Sequence, residues 1–484
     1  MLSKPYKSLI LLAAIYCIGS ANASIFKADK HYTSKEYELA KKGYLNAAKV
    51  GNPHAYYQLG QMYRQGQGVK PDLLNALIYF ALAEEYDFHS SQKILNQLLE
   101  SFTEIERQKI IAILDDYKRN NGKSQIEQKY YPELIVANLQ KKVLFDGESK
   151  LKTRFYADEY DAENEMLNAS DFGFDDEESN DLYGIVSTPK LPYLIVDNDI
   201  GRDGSVRYVS EVQKSGSVTS IIKQYKLFAG PKPTFDGKPV EFVNRVSMGA
   251  ANFDRFALIR ENEKLYGAIL RAKKKLVKDQ SLKSQYELAM ALQNFPWLEQ
   301  EEGEVEKRLL DLSKQGHPSA MFEYGAKLYR EQRDLDSAVK WISRASSYGL
   351  ARAEYRLGKL LTTSPWVKQD EKKALFWFES AMVKDHIAAT IKVIELKLLA
   401  KDKSLHDLDT AIKLLEKIES SQTSNPEYFY LLSLSHIDRK NRDYTQVIAN
   451  LEHAITLASR FDWDVAEWES LLGRLTQGTV YITE

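Results

Sequence analysis

The residues of this chain whose types and spacing most suggest chemistry are a short run of aspartates. The run consists of Asp197, Asp199 and Asp203, and Gly204 follows it. Alternating oxygen ligands over twelve positions are typical of a calcium-binding loop. Counted from Asp199, however, the third position is Gly201 and the twelfth is Ser210, so two essential ligands are missing. The pattern therefore favours a polar lead-in to a strand over a cation site.

No other spacing indicates catalysis. The sequence contains neither a phosphate-binding Gly-x-x-x-x-Gly-Lys-Ser/Thr loop nor a dinucleotide-binding, Gly-x-Ser-x-Gly or His-Glu-x-x-His motif. The eight histidines are scattered, and His54 and His317 lie at nearly equivalent repeat starts, which favours a structural role. We therefore predict no catalytic residue, no cofactor and no metal site, and expect a protein that is not an enzyme.

The composition is that of an ordinary globular protein of several domains. Of 484 residues, 44% are hydrophobic and 28% are charged, with a net charge of −2. Such a balance gives no electrostatic reason to expect nucleic acid or an anionic membrane surface as a partner.

Residues 1–23 have the pattern of a secretory signal peptide. Lys4 and Lys7 precede the apolar run 8–19, and small residues at Ala21 and Ala23 predict cleavage between Ala23 and Ser24. The single cysteine, Cys17, lies inside this segment, so the mature chain would have no thiol chemistry. We expect a periplasmic protein; an uncleaved N-terminal anchor remains the alternative.

The clearest pattern runs from Ala55 to Tyr86 and predicts two antiparallel helices. Small and apolar residues recur every three or four positions, Gly66 and Gly68 supply a turn, and Asp72 can cap the second helix. The motif consists of Ala55, Leu59, Gly60, Tyr63, Gly66, Gly68, Val69, Asp72, Ala76, Phe80 and Ala83. It closely resembles a Sel1-like repeat, a relative of the tetratricopeptide repeat. Gly60 is small because two helices must approach closely there.

The same frame recurs twice towards the C-terminus, with Gly325 and Gly358 in the place of Gly60. These glycines are 33 residues apart, and Trp341 and Trp377 are 36 residues apart. Periods of this length are typical of helical solenoids. Both later units lack the Gly-x-Gly turn.

Further helices are predicted around these repeats. Residues 34–51 suggest the second helix of an incomplete repeat, and helices are expected at 90–102 and 103–120, the latter opened by a capping box of Thr103 and Glu106. A solenoid of only about a hundred residues needs another surface to cover its end. Residues 158–181 then contain eleven acidic and no basic residues, which predicts a flexible linker.

Residues 191–248 have the alternation of β-strands. Val206, Tyr208 and Val212 alternate with polar residues, a turn follows at Lys214–Gly216, and residues 218–222 are expected to return as a strand. Asp203–Tyr208, Ser215–Val218, Phe228 with Pro231, and Asp236–Val240 match in order the C-terminal domain of TonB-type energy transducers, which this segment resembles. That family has a helix before the aromatic-Pro segment. Here only residues 220–228 are available for such a helix, which would shorten the second strand. The chain has neither the proline-rich arm nor the full N-terminal span of that family, so energy transfer is not implied.

What the TonB resemblance implies is a small αβ module with a free sheet edge, able to capture an extended peptide by strand addition. The candidate edge strand consists of Val240, Phe242, Asn244 and Val246. The adjoining segment, with Gln285–Met290 and Asn294–Leu298, is similar to a junction in proteobacterial chains that join a TonB-like domain to Sel1-like repeats.

Together these patterns predict a mainly α fold, in which Sel1/TPR-like α-solenoid arms flank a small α+β TonB-C-like module. Helices of tetratricopeptide type are expected at 408–420, 427–438 and 444–460. The predicted divisions are 1–23 signal peptide, 24–121 N-terminal repeats, 122–190 acidic linker, 191–252 TonB-like module, 253–300 helical connector, 301–390 Sel1-like repeats and 391–484 TPR-like helices.

The expected function is that of a non-enzymatic periplasmic scaffold whose solenoid surfaces and central module bind envelope proteins or peptides, including outer-membrane transport components. Two alternatives stay open at this stage. One is an accessory factor for the export of envelope polysaccharide. The other is a cell-wall-acting enzyme whose site is built from residues distant in sequence.

Overall fold

The computed structural model describes residues 25–146, 192–227, 229–298, 301–437, 439 and 442–477. The predicted signal peptide with its cleavage residues Ala23 and Ser24 lies outside the described residues, as does the acidic run 158–181. The mainly α fold class is confirmed, with a small region of two three-stranded sheets.

Seven helices form the N-terminal arm. They are α1 (Ile25–Thr33), α2 (Tyr37–Ala48), α3 (Pro53–Gln65), α4 (Leu73–Glu84), α5 (Ser91–Leu99), α6 (Glu104–Asn121) and α7 (Lys123–Tyr130). Gly66 ends α3 in the left-handed conformation with a φ of 71°, and the Asp72 side chain caps α4, as the pattern predicts. The capping box of Thr103 and Glu106 at the start of α6 is confirmed.

The sheet module follows. Its elements are β1 (Leu144–Asp146), β2 (Tyr193–Ile200), β3 (Val206–Ser215), α8 (Thr219–Tyr225), β4 (Lys232–Phe235), β5 (Lys238–Pro239) and β6 (Phe242–Gly249). One sheet has the antiparallel order β3-β2-β6, with Asn198 opposite Asn244 in the register of β2 and β6. The other has the order β1-β4-β5. The central strand β2 is buried along its whole length.

The strand predicted at 218–222 is instead the start of α8. Strand β3 pairs with β2, which supplies the second strand from upstream, so no return strand is needed after the turn. Val218 and Ile222 then lie four residues apart on one helical face and pack with Leu194 and Val196 of the sheet.

Twelve helices form the C-terminal region. They are α9 (Arg255–Lys278), α10 (Leu282–Asn294), α11 (Glu304–Lys314), α12 (Pro318–Arg330), α13 (Leu335–Ser347), α14 (Ala351–Thr363), α15 (Glu371–Met382), α16 (Ile387–Leu399), α17 (Leu408–Ile418), α18 (Pro426–Ile437), α19 (Tyr444–Arg460) and α20 (Ala466–Gln477). Helices α10 to α19 form five successive pairs, each packed against the next, and α20 packs on α19. We call the surface made by α10, α12, α14 and α16 the first-helix face.

A side chain caps the first helix at α3, α12 and α16, whereas α14 begins after Leu350 without such a cap. The N–H of Ala320 donates to Nδ1 of His317 at 3.3 Å, and the N–H of Ala389 donates to Nδ1 of His386 at 3.2 Å. In α3 the capping position is held by Asn52. Asn52, and not His54, is therefore the residue equivalent to His317.

The N-terminal arm packs directly on the C-terminal repeats. Ile25, Leu59 and neighbouring apolar residues share one core with Met321 and Tyr348. The Asn52 amide donates at 3.0 Å to the carbonyl of Ser347. This contact covers the apolar side that a short solenoid leaves open.

Residues 122–146, which belong to the predicted linker, are part of the fold. Helix α7 packs against α15, and Nε1 of Trp377 donates at 2.6 Å to the carbonyl of Tyr130. The chain then crosses the turns of the repeats, where Ile135 N–H donates at 2.8 Å to the carbonyl of Trp366, before it enters the module as β1. This segment ties the three regions together.

Candidate interaction surfaces

The module lies on the first-helix face and is anchored there by buried charges. Arg245 of β6 makes a bidentate pair with Asp197 of β2, at 2.8 and 2.7 Å, and also reaches Glu323 of α12 at 2.9 Å. Glu323 is fully buried and also pairs with Arg352 at 3.1 Å. Burial disfavours the charged carboxylates, but the adjacent arginines outweigh it and lower the pKa of both Asp197 and Glu323.

A second anchor joins the same sheet to α14 and α16. Asp199 accepts hydrogen bonds from the Tyr355 hydroxyl at 2.5 Å and from the Arg356 guanidinium at 2.6 Å. The Tyr355 ring stacks on His386, with ring centroids 4.6 Å apart. Burial lowers the pKa of His386 to about 4, so this imidazole is neutral at pH 7.

A third anchor involves lysines. Lys359 of α14 pairs with Glu241, and Lys392 of α16 bridges Glu395 at 2.7 Å and Glu427 at 2.5 Å. Although burial opposes ionisation, Lys359 lowers the pKa of Glu241 to about 2. All three anchors consist of paired charges, which is the only form in which buried charges are tolerated.

The aspartates that suggested a calcium loop thus have other partners. Asp197 and Asp199 face arginines, and Asp203 binds Arg207 at 2.7 Å and the backbone N–H of Asp464 at 2.7 Å. Asp203 therefore fixes the turn between α19 and α20 to the module. Among the described residues, no group of three or more potential ligands is arranged to hold a metal ion.

The candidate edge-strand residues fall into two groups. Phe242 is buried and stacks on Tyr329, and Val240 is half-buried against the same core. Asn244 is exposed, and Val246 is half-buried beside α8. In the sheet order β3-β2-β6, β6 is an edge strand among the described strands, so Asn244 and Val246 lie at an edge that no other described strand pairs with, whereas Val240 and Phe242 anchor the module.

The glycines that define the repeats lie at close approaches or tight turns. A Cβ atom on Gly60 would lie 3.0 Å from the Phe80 ring, and one on Gly358 would lie 2.5 Å from the Phe378 ring. At Gly325 it would lie 2.8 Å from the carbonyl oxygen of Ala338. Gly66 and Gly68 have φ angles of 71° and 65°, which favour glycine.

The module and the solenoid part near the C-terminal end and leave a cleft of about 620 Å³. One wall belongs to the module and includes Arg202, Asp203 and Arg207; the other belongs to α16, α18 and α20. Clefts of this volume are typical of ligand sites. No sequence pattern pointed to this cleft, because its walls come from three distant parts of the chain.

Sequence reasoning also missed the anchors. Arg245, Glu323, Tyr355 and Arg356 are all buried or nearly so, but they belong to no catalytic or metal motif. No signal in the sequence indicates them, because Glu323 and Arg356 occupy the position that is also polar in the first repeat, as Gln58, and a polar residue there fits an exposed helix face. None of the described helices is long and apolar enough to cross a membrane.

Comparison with known proteins identifies the repeats. Residues 53–85, 318–349 and 351–381 match the model of the Sel1 repeat. A search of curated proteins gave no match. Two solved structures are similar: a protective antigen of uropathogenic Escherichia coli with an SLR fold (16% identity, 96% of this chain and 89% of that chain, TM-score 0.30), and a Sel1 repeat protein from Oxalobacter formigenes (12% identity, 81% and 96%, TM-score 0.25). The helix pairs α3/α4, α12/α13 and α14/α15 are therefore Sel1 repeats.

Proposed function

We propose that this protein is a non-enzymatic interaction scaffold of the periplasm that captures an extended segment of an envelope protein along β6. Sel1 repeats generally mediate protein–protein interactions. The observation that carries the proposal is the outer edge of β6, which pairs with no other described strand, in a sheet that is itself fixed to the repeats by Arg245 and Asp199. An anchored edge is pre-organised, so little entropy is lost when a strand is added.

The backbone of β6 indicates which groups face the partner. The N–H of Arg245 donates at 2.9 Å to Oδ1 of Asn244, its own neighbour, and so points away from β2. Because ladder groups alternate in antiparallel pairs, the N–H groups of Val243 and Ser247 point outward too, whereas that of Asn244 points to Asn198 of β2. Of these outward positions Val243 is buried and Arg245 belongs to an anchor, so Ser247 is the one suited to a test.

The test compares Ser247→Pro with Ser247→Ala in the full chain. Proline removes one outward donor and leaves the ladder to β2 intact, whereas alanine keeps that donor. Envelope proteins cross-linked to the wild-type chain should be lost from the proline variant and retained by the alanine variant. Equal capture by both folded variants would show that β6 does not bind the partner.

The periplasmic location is a separate part of the proposal, supported by the pattern of residues 1–23. The chain purified from its native source should begin at Ser24 and be released with the periplasmic contents. A chain that retains Met1 in inner-membrane pellets would refute this.

A further inference from the structure

The helical wall of the cleft contains a group that we call the acidic aromatic corner: Glu395, Tyr430, Glu467 and Trp468. The rings of Tyr430 and Trp468 are half-buried and stack with centroids 4.6 Å apart and planes at 11°. They offer a flat aromatic surface at the wall of the cleft.

The corner contains two carboxylates. Burial raises the pKa of Tyr430, and the charges of Glu467 and Glu395 raise it further, whereas Arg474 lowers it. The Arg474 guanidinium donates at 3.0 Å to the Ser470 hydroxyl of its own helix. Lys392 forms ion pairs with both Glu395 and Glu427. Glu467 makes no ion pair with any residue that the structure describes. An aromatic surface beside a free carboxylate is suited to a cation.

The same cleft already shows how such a cation is bound. The guanidinium of Arg207 lies over the Trp463 ring, 3.7 Å from its centroid, and pairs with Asp203 at 2.7 Å. Arginine is suited to this arrangement because its planar group can stack and pair at once. In the acidic aromatic corner the ring and the carboxylate are present, but no arginine of the described residues pairs with Glu467.

A second observation concerns Trp463. This residue lines the cleft, is only 9% exposed, and its buried indole N–H has no acceptor within the described part of the chain. Buried donors are almost always paired, so an ordered water or a ligand is expected to supply the acceptor. A peptide carbonyl supplies one.

We propose that the cleft binds a short extended peptide segment through one arginine. The guanidinium packs on Trp468 and pairs with Glu467, while a carbonyl of the peptide backbone accepts the hydrogen bond from Nε1 of Trp463. This deepens the proposed scaffold function by naming the chemistry of a partner segment, at a site separate from β6.

The test uses the full mature chain labelled with 5-fluorotryptophan and the probe acetyl-Ala-Arg-Ala-amide. The fluorine resonances of Trp463 and Trp468 should shift on titration, and the citrulline analogue, which keeps the shape but lacks the charge, should bind at least tenfold more weakly. Glu467→Gln should also cost about tenfold. Glu469→Gln, an exposed carboxylate on the same helix outside the cleft, should change the affinity less than twofold.

Several results would overturn the proposal. Equal binding of the citrulline analogue, or equal weakening by Glu469→Gln, would indicate general charge attraction only. Shifts caused by cellotriose but not by the arginine peptide would assign the cleft to an oligosaccharide. Ser247→Pro should leave peptide affinity unchanged, so failure at β6 and failure at the cleft are distinguishable.

Discussion

Gly358 lies where α14 and α15 cross, and a Cβ atom there would make the shortest contact among the repeat glycines, with the Phe378 ring. We expect Gly358→Ala to destabilise the protein by about 1–3 kcal/mol, because the ring must move in a packed core. A methyl group at Gly473 of α20 would have no described neighbour within 4 Å, so Gly473→Ala should stabilise by up to about 1 kcal/mol through helix propensity. Urea unfolding of both variants checks this. Equal effects of the two substitutions would contradict a close helix crossing at Gly358.

His386 predicts a dependence of stability on pH. Its pKa is lowered from 6.5 to about 4, chiefly by burial, while Asp199 raises and Arg356 lowers it to a smaller extent. The folded state therefore binds fewer protons than the unfolded state. The stabilisation is complete above pH 6.5 and is lost as the pH falls towards 4.

His386→Asn should flatten this dependence, because asparagine can accept the cap hydrogen bond from Ala389 without titrating. The measurement is the free energy of unfolding at several values between pH 7.5 and 4. His317, whose pKa is also lowered to about 4, will keep part of the slope. His453→Asn, at an exposed position of α19, is the control. A slope unchanged by His386→Asn would exclude this residue as a source of the acid sensitivity.

At the scale of single residues, the repeat glycines could be predicted from the sequence, but the buried ion pairs could not. Gly60 and Gly358 occupy the same position of the repeat. Each is small because the two helices of its own repeat approach closely there. The pair of Asp197 and Arg245 is 48 residues apart, and only the register of two strands brings it together. In the sequence alone the arginine partners of these aspartates are not visible, so the aspartates resemble ligands of a calcium ion.

At the scale of the elements, helix α12 has a second role, in binding the module, that its apolar pattern does not indicate. It packs as a repeat helix and presents Glu323 to the module. Glu323→Gln should lower stability by about 3 kcal/mol, because it leaves buried Arg245 and Arg352 with fewer partners. Glu306→Gln removes a partner from the more exposed Arg333 and should cost less than about 1 kcal/mol. Similar melting temperatures for the two variants would show that the buried network does not hold the module.

The elements themselves were largely predictable where the pattern was long. Helices with several periods, such as α3 and α19, lie close to the predicted ranges. The segment 218–222 was assigned the wrong type because its apolar run is short, and a short run suits a strand or a helix equally. The acidic run 158–181 marked a boundary but gave no sign that residues 122–146 before it pack on the repeats.

At the scale of the molecule, the sequence predicts solenoid arms that flank a module. In the structure the N-terminal arm, the module and the C-terminal repeats instead share hydrophobic cores. The N-terminal arm joins the C-terminal repeats through Asn52, and the module fills the first-helix face. A partner is therefore expected at what remains open, the β6 edge and the cleft. Sequence could not predict this, because contacts between regions depend on long-range packing rather than on local periodicity.

Because the module shares cores and ion pairs with the repeats, we expect that it does not fold in isolation. Strand β4 pairs with β1, which comes from residues 144–146, and Asp199 depends on Tyr355 and Arg356 of α14. A fragment of residues 192–252 lacks these partners and would expose unpaired carboxylates on an otherwise apolar face, so it should not form the native sheet. Its amide proton–nitrogen spectrum should be poorly dispersed, whereas a fragment of residues 130–477 should show the downfield signals of β2. A well-dispersed spectrum from the short fragment would mean that the module folds without the solenoid, and that the buried ion pairs position it rather than stabilise it.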